Sequence, residues 1–320
     1  MLVDGEFDIR TDEAGIEVWV TQMGDFMNMN TAWIDRENGV VAITDPFDSQ
    51  RWVEALANEG LRPTHILYTH THRDHTAGYA KMMELIPDIE VWGHHDSIHK
   101  SLLGRFVFGN VSLTNEWNHH PNSSVEWAVG GITLSVTHSP GHAPGHCTFH
   151  GHGVYHAGDL LFTAASGRVD LPGSDPTAQW WSVLFARGIL RELPMDWRLI
   201  PGHRYDWIDG STPDWVSVAE ALAHNYALNA RELEVLENLP FQRLDDDIAD
   251  RILLSPKDSL DETKNYSNPT HELEYGPNGT DWISHENHSV LSYLSLEIPN
   301  FFAALFVVPA SREPSCSNAD

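Results

Sequence analysis

The stretch THTHRDHTAG, residues 69–78, places three histidines and one aspartate within six positions. Imidazole and carboxylate groups are ligands of divalent metals such as zinc. Side chains two residues apart on an extended backbone point to the same side, so His70 and His72 share one direction. Asp74 and His75 follow and turn toward an adjacent position. The stretch therefore suits two metal ions side by side, if the fold brings further ligands to the same place.

The charge balance and the cysteine content limit the class of protein. With 19 basic and 46 acidic residues, the formal net charge of −27 repels nucleic acid and anionic membrane surfaces. Cys147 and Cys316 lie far apart, which argues against a disulfide framework. The N-terminus shows no secretory pattern, and the longest apolar run, residues 301–308, is shorter than the ~20 residues of a membrane-spanning helix. We expect a cytoplasmic protein without nucleic-acid or membrane partners.

Short β-rich runs alternate with helical patterns over the first two-thirds of the chain. Strands are predicted at 64–70 and 89–94, for example, and helices at 49–60, 75–87 and 175–193. This alternation is typical of a layered α/β domain with helices outside the sheets.

Three more metal-ligating residues appear where predicted strands end. His142 lies in THSPGHAPGH, Asp159 follows a glycine in YHAGDLLF, and His203 follows a glycine in LIPGHRYDW. Such a glycine lets the backbone turn sharply, so that the side chain beside it can approach a metal. Seven residues are therefore the candidate metal ligands: His70, His72, Asp74, His75, His142, Asp159 and His203.

The motifs HxHxDH, PGHxPGH, GD and PGH occur in that order, and together they resemble the metallo-β-lactamase fold superfamily over about residues 15–210. The resemblance implies an α/β fold, a four-layer αββα sandwich with the site at one edge of its two sheets. It also implies two divalent metal ions, in the first place zinc, with iron or manganese as alternatives. The implied ligands are His70, His72 and His142 for the first metal and Asp74, His75 and His203 for the second, with Asp159 bridging the two.

The pattern changes after residue 225, where one further helix is followed by a polar, irregular and acidic segment. We therefore divide the chain into a main domain, residues 1–225, and an acidic C-terminal extension, residues 226–320. In this extension, His285 and His288 are hypothesised to reach a substrate, and the apolar run FFAALFVV to form a homodimer contact.

The ligand set suggests a hydrolytic reaction. Coordination lowers the pKa of metal-bound water toward ~7, and the hydroxide that forms attacks an acyl carbonyl. Asp74 would ligate the second metal and orient the hydroxide, which makes it the candidate catalytic residue. The motifs supply no strong general acid, which favours a leaving group such as a thiolate, whose ordinary pKa is ~8.5, over an amide nitrogen. The predicted partner is a small-molecule acyl substrate, a thioester or a lactone.

Within the superfamily, the chain resembles the glyoxalase II group, the hydroxyacylglutathione hydrolases. AGDLLF and ASGRVDLPGSDP stand where that group has a GDTLF segment and a GCGR loop. Arg168 and Tyr205 match two of its glutathione-binding positions and are therefore candidate substrate-binding residues. A second tyrosine of that site falls near Val169 and Asp170 and is absent, and the acidic extension replaces a basic helical segment. The sequence therefore favours a glutathione thioester no more than a different thioester or another acyl compound as the substrate.

Other activities of the superfamily stay open as alternatives. A persulfide dioxygenase shares these motifs but uses a single iron, held by the residues matching His70, His142 and Asp159. A lactonase has a tyrosine shortly after the bridging aspartate, where this chain has Phe162. A non-enzymatic metal-binding module would be expected to lack a ligand, and none is lost. True β-lactamases carry cysteine or nothing at the position of Asp159, so that activity is not expected.

Further polar residues receive structural interpretations. Asp45 either supports the ligands, as a carboxylate does at this position in relatives, or is a simple turn residue. His146 is expected to pack structurally. The same structural or surface role is expected of ten further histidines: His94, His95, His99, His119, His120, His150, His152, His156, His285 and His288.

Overall fold

The computed structural model of the chain describes residues 1–97 and 107–230. Seven strands form the first sheet: β1 (Phe7–Thr11), β2 (Glu17–Met23), β3 (Asn28–Asp35), β4 (Val40–Thr44), β5 (His65–Leu67), β6 (Glu90–His94) and β7 (Asn115–Trp117). They lie side by side in chain order. The pairings from β1 to β4 are antiparallel, and those from β4 to β7 are parallel.

Six strands form the second sheet: β8 (Ser123–Val129), β9 (Ile132–His138), β10 (Cys147–Gly151), β11 (Val154–Gly158), β12 (Arg198–Pro201) and β13 (Val216–Ser217). Their order across the sheet is β13-β12-β11-β10-β9-β8. Only the β11–β12 pairing is parallel among the named pairings of this sheet. As a result, β9, β11 and β12 all run in the same direction.

Helices cover the outer face of each sheet. Their bounds are α1 (Ser49–Asn58), α2 (Tyr79–Leu85), α3 (Pro176–Glu192), α4 (Val218–His224) and α5 (Tyr226–Asn229), with a short 3-10 helix at His95–Ser97. Apolar side chains of α1 and α2 pack on the first sheet, and those of α3, α4 and α5 pack on the second. These four layers confirm the predicted αββα sandwich. None of the helices in the described part of the chain has the length and hydropathy needed to span a membrane.

The core between the sheets is built from alternate residues of neighbouring strands. In β4, Val40 and Ala42 belong to the inter-sheet cluster, whereas Val41 and Ile43 pack with α1 and α2. Large side chains from both sheets fill the space between them: Trp33, Leu67, Trp127, Val136 and Phe149. Because the first sheet is buried on both faces, β4 reads as an uninterrupted apolar run.

The structure shortens two of the predicted elements around the histidine stretch. The strand predicted at 64–70 ends at Leu67, and the helix predicted at 75–87 begins only at Tyr79. The residues between them form a loop whose polar side chains turn inward. Gly78 ends this loop and packs so closely against the backbone before α1 that a Cβ atom there would collide with it.

The first residues of the predicted extension belong to the packed structure. Leu228 of α5 lies in the same apolar cluster as Val183 of α3 and Leu222 of α4. Residues 231–320, with His285, His288 and the FFAALFVV run, lie outside the described residues. The division of the chain at residue 225 therefore stays a prediction.

Four strand ends meet at one edge of the sandwich, and every predicted metal ligand follows one of them. The loop after β5 leaves the first sheet, and the loops after β9, β11 and β12 leave the second. Backbone hydrogen bonds join the two sheets at this edge: Cys147 donates to the Thr69 carbonyl at 2.7 Å, and Met29 donates to the Gly202 carbonyl at 2.8 Å. The topology thus brings ligands that are distant in sequence to one place.

The inter-sheet core predicts a large effect of truncating Trp33, which is fully buried with its ring edge toward Phe149. Trp33→Ala should lower the free energy of unfolding by about 3–5 kcal/mol, because the lost contacts leave a cavity. Urea unfolding followed by circular dichroism measures the change. Ile9→Ala, at a position that is 50% exposed, is the control and should change it by less than about 0.5 kcal/mol. Equal losses in the two variants would contradict this role of Trp33.

Candidate metal centre

The structure brings the seven predicted metal ligands together at the sheet edge. Two groups of three have one potential ligand atom per residue within 4.8 Å of the others: His70, His72 and His142, and Asp74, His75 and His203. All seven are buried except Asp74, which is about one-quarter exposed. These are the two sets implied by the sequence motifs, and each is able to hold a metal ion.

In the first group, three ring nitrogens face one another. Nδ1 of His72 lies 3.0 Å from Nε2 of His70 and 2.9 Å from Nε2 of His142. The other nitrogen of His142, Nδ1, donates to the backbone carbonyl of Arg168 at 2.8 Å. Because a carbonyl only accepts, the proton of a neutral His142 must sit on Nδ1. Its Nε2 lone pair therefore points at the other two rings, as a metal ligand requires.

In the second group, a carboxylate oxygen joins two ring nitrogens. Oδ2 of Asp74 lies 3.2 Å from Nε2 of His203 and 3.4 Å from Nε2 of His75. Nδ1 of His203 donates to the Phe26 carbonyl at 2.8 Å, so its Nε2 is the nitrogen available to a metal. Asn28 donates from its side-chain amide to Oδ2 of Asp74 at 3.2 Å and holds that carboxylate in place.

Asp159 lies between the two groups. Its Oδ2 is 3.3 Å from Nε2 of His142 in the first group and 3.5 Å from Nε2 of His203 in the second, and its Oδ1 is 3.3 Å from Nε2 of His75. Oδ1 is buried and has no hydrogen-bond donor among the described residues. A buried carboxylate oxygen without a donor is costly in the absence of a cation, so this position fits a ligand shared by two metal ions.

Asp45 directs ligands of both groups. Its Oδ2 accepts from Nδ1 of His75 at 2.8 Å and also from the Thr69 hydroxyl. Since the only hydroxyl proton of Thr69 goes to Asp45, its oxygen accepts from Nδ1 of His70, 3.0 Å away. His70 and His75 therefore both carry their protons on Nδ1 and present Nε2 to the centre. Of the two interpretations of Asp45, the structure supports the ligand-supporting carboxylate.

Buried carboxylates dominate the electrostatics of the second group. Burial by itself lowers the pKa of His75, but the charges of Asp74 and Asp159 outweigh it and raise the pKa to about 10. The pKa of His203 is also raised well above its ordinary value, because Asp159 overcomes the effect of burial. In the first group, burial holds the pKa of His70 well below its ordinary value. The carboxylates thus stabilise positive charge in this group. Protons on the histidines supply that charge in the metal-free protein, and divalent cations can replace these protons.

Two glycines make the close approach possible, as the sequence predicts. Gly158 has a φ of +52°, and a Cβ atom there would press against His146 and Thr69. A Cβ atom at Gly202 would collide with Oδ1 of Asp159. His146 itself packs structurally, as expected: its Nε2 accepts from the Asp159 backbone N–H at 3.0 Å. It thereby fixes the backbone of the bridging residue.

The two candidate substrate-binding residues lie beside the ligands. The backbone carbonyl of Arg168 holds His142, and its guanidinium donates to Asp170 through Nε and Nη2, both at 2.5 Å. The ring of Tyr205 stacks on His203, with the centroids 5.6 Å apart. Both therefore border the metal centre, and their contact with a substrate stays a prediction.

Sequence reasoning missed several residues that support the ligands. Asn28, which holds Asp74, lies in a strand and belongs to no motif. Gln179 lies in α3 and hydrogen-bonds the backbone N–H of His142 at 2.8 Å. Phe26 contributes only its carbonyl, which no side-chain pattern can reveal. All three contacts come from segments distant in sequence from the residues that they hold, so only the fold shows them.

A further group of potential ligands, His94, Asp96 and His138, lies at and just after the ends of β6 and β9. Its rings are already engaged in hydrogen bonds. His94 donates from Nε2 to the His119 carbonyl at 3.0 Å and accepts at Nδ1 from the Asp96 N–H at 3.3 Å. His138 has the Pro144 carbonyl 2.9 Å from its Nε2. The structural role expected for His94 therefore holds, and we assign no metal to this group.

Comparison with known proteins agrees with this geometry. The sequence profile of the Metallo-beta-lactamase superfamily matches residues 26–203, which is more than half of the chain. The chain belongs to the metallo-beta-lactamase superfamily. Among solved structures of similar fold is ETHE1 from Myxococcus xanthus, with a TM-score of 0.52 and 22% sequence identity, covering 80% of this chain and 98% of that one. At this identity the likeness concerns the superfamily fold alone.

Curated relatives within the superfamily are named hydroxyacylglutathione hydrolase. That of Tolumonas auensis is 27% identical over 178 residues, which cover 56% of this chain and 62% of the relative. That of Methylobacillus flagellatus is 30% identical over 181 residues, which cover 55% of this chain and 62% of the relative. The chain thus spans less than two thirds of the length of these relatives.

The contacts of Asp45 predict that Asp45→Asn weakens metal binding. Asparagine keeps the size and tolerates the left-handed backbone (φ +48°), but it has one acceptor oxygen, whereas Asp45 accepts at Oδ1 from the Thr69 backbone N–H and at Oδ2 from the Thr69 hydroxyl and His75. Loss of such an outer contact lowers metal affinity roughly 10–100-fold. Competition with a chromophoric chelator measures this, and both ions should be affected. The control is Asp35→Asn, which changes a buried aspartate at the end of β3 opposite to Asn28. An equal loss of metal affinity in this variant would contradict the role of Asp45.

Buried histidines outside the metal centre predict a loss of stability in acid. Burial lowers the pKa of His94 and of His119 to about 4, from an ordinary value of 6.5. Between these two pH values the unfolded chain binds more protons than the folded one, so the free energy of unfolding falls as the pH decreases. Urea unfolding of chelator-treated protein between pH 7 and pH 4.5 measures the slope. His94→Gln should make the slope shallower, and an unchanged slope would contradict the assignment.

Proposed function

We propose that the protein is a metal-dependent hydrolase that cleaves a thioester, as its hydroxyacylglutathione hydrolase relatives are named to do. The observation that carries the proposal is the position of Asp159, whose carboxylate lies against ring nitrogens of both ligand groups. This position suits two divalent cations that share one ligand. The similarity to the curated relatives supports the thioester class.

The side chains of the centre would hold and orient two divalent ions, zinc by expectation, one in each group. When bound, such ions activate a water molecule and polarise an acyl carbonyl. Asp74 is about one-quarter exposed, more than any other ligand, so it is the one placed to orient an incoming water. The hydrogen bond from Asn28 keeps Oδ2 of Asp74 turned toward His75 and His203.

The weak acids near the ligands favour a thioester, whose leaving group does not need to be protonated. Tyr205 stacks on His203, and burial raises the pKa of its phenol, so it stays protonated at neutral pH and is a weak acid. A thiolate departs without protonation by a strong acid, whereas an amide nitrogen does not. Tyr205 and Arg168 are proposed to contact the thiol portion of the substrate. Because Arg168 is paired with Asp170, its attraction for an anionic thiol such as glutathione is reduced.

Metal content and activity test the proposal together. Protein purified without added metal should contain nearly two zinc, iron or manganese ions per chain by elemental analysis. The same protein should release thiol from acyl thioesters, including hydroxyacylglutathione, and should not cleave the matching amides. His203→Ala should lose one ion and most of the activity, whereas His120→Ala, at an exposed position, should retain both. Two ions per chain without thioester cleavage would contradict the substrate class.

A second function has specific support in the same geometry. His70, His142 and Asp159 lie together, with Nε2 of His142 3.3 Å from Oδ2 of Asp159 and the rings of His70 and His142 4.9 Å apart between centroids. These are the ligands implied for a one-iron persulfide dioxygenase. Nearly one iron per chain, retained in His203→Ala, with oxygen uptake on addition of glutathione persulfide, would favour that function over hydrolysis.

A further inference from the structure

We propose that Gln179 is a positioning residue for the first metal ion, because it holds the loops that present His142 and Asp159 at a fixed separation. It contacts neither the expected metal nor a substrate. The inference rests on the metal centre proposed above and is independent of which thioester is cleaved.

The amide of Gln179 joins two ligand loops. The side chain is fully buried in the first turn of α3. Its Oε1 accepts from the backbone N–H of His142 at 2.8 Å, and its Nε2 donates to the carbonyl of Leu160 at 3.2 Å. Leu160 directly follows Asp159, so a single planar group links a residue of the loop after β9 to one of the loop after β11. Replacing it with an apolar side chain leaves a buried donor and a buried acceptor without these partners.

Neighbouring residues of the same segment hold the loop of His142 from the same side. The Ser174 hydroxyl donates to the His142 carbonyl at 2.8 Å, and the Asp175 backbone N–H donates to the Gly141 carbonyl at 2.7 Å. Gly141 lies so close to α3 that a Cβ atom there would collide with the backbone of Gln179. The beginning of α3 is therefore a rigid support on which the loop of His142 rests.

The second ligand group is supported by other parts of the fold. Asp74 is held by Asn28, His203 by the carbonyl of Phe26, and His75 by Asp45. Phe26 lies in the turn between β2 and β3, Asn28 is the first residue of β3, and Asp45 directly follows β4. None of these three contacts involves α3. Loosening the contacts of Gln179 should therefore weaken binding of the first ion more than that of the second, whereas a general loss of packing would weaken both equally.

The test is a titration of the metal-free protein with Zn²⁺ in competition with a chromophoric chelator. The unsubstituted protein should take up two ions, and Gln179→Leu should lose roughly 10–100-fold in affinity for one of them. Variants that keep only one complete ligand group identify which ion is affected. In His203→Ala, which leaves the first group complete, adding Gln179→Leu should weaken the remaining ion. In His142→Ala, which leaves the second group complete, the same substitution should have a clearly smaller effect, because Asp159, beside Leu160, is the one residue that both ions are proposed to share.

Two further variants keep the test independent of folding. Ser174→Ala removes one half-buried hydroxyl group from the same support and should weaken the same ion by a smaller factor. Leu190→Ala, fully buried on α3 but away from both loops, should lower the midpoint of thermal unfolding and leave both affinities unchanged.

Three outcomes would overturn the proposal. In the first, Gln179→Leu and Ser174→Ala keep both affinities. In the second, Gln179→Leu weakens both ions equally or is matched by Leu190→Ala. In the third, the unsubstituted protein takes up no second ion, which would refute the proposed two-metal centre itself and is thereby distinguished from the first two.

Discussion

One buried carboxylate decides which nitrogen atoms face the metal centre. The strand ends and glycines bring imidazole rings close together, but a ring has two nitrogens and only one can be turned toward a cation. Asp45 settles this for His75 directly and for His70 through the Thr69 hydroxyl. The left-handed backbone at Asp45 carries some strain, which aspartate tolerates better than most residues. Backbone carbonyls settle the same choice for His142 and His203.

The two ligand groups differ in charge, and this difference shapes their chemistry. The first is built from imidazoles, and burial keeps the pKa values of His70 and His72 well below the ordinary value, so protons compete little for them at neutral pH. The second contains Asp74, whose charge helps to raise the pKa of His75 to about 10. A metal entering the second group must therefore displace protons, and its affinity depends more steeply on pH. Carboxylate ligands also make that group more accommodating to harder cations than the first.

Local signals allowed the layered α/β class and the identity of the gathered ligands to be predicted, whereas the four-layer sandwich followed from the resemblance to the superfamily. Apolar runs and helical periodicity mark the layers, and His142, Asp159 and His203 stand directly at strand ends. The element bounds around the histidine stretch were predicted less well, because residues near Gly78 follow the demands of the site rather than helical propensity. The support from Gln179 could not be predicted, since it depends on how a helix lies across two loops. Residues 231–320 leave the predicted extension untested.

No single segment within residues 1–97 and 107–230 supplies all the residues of either ligand group. The loop after β5 offers four ligands, but His142, Asp159 and His203 are synthesised long after it and come from the opposite sheet. During translation, the early histidines therefore emerge without their partners and hold an ion only weakly. The two sheets must pack against each other before either site is complete. Tight ion binding would therefore follow the packing of the two sheets, and a bound ion would link the two halves of the sandwich across their common edge.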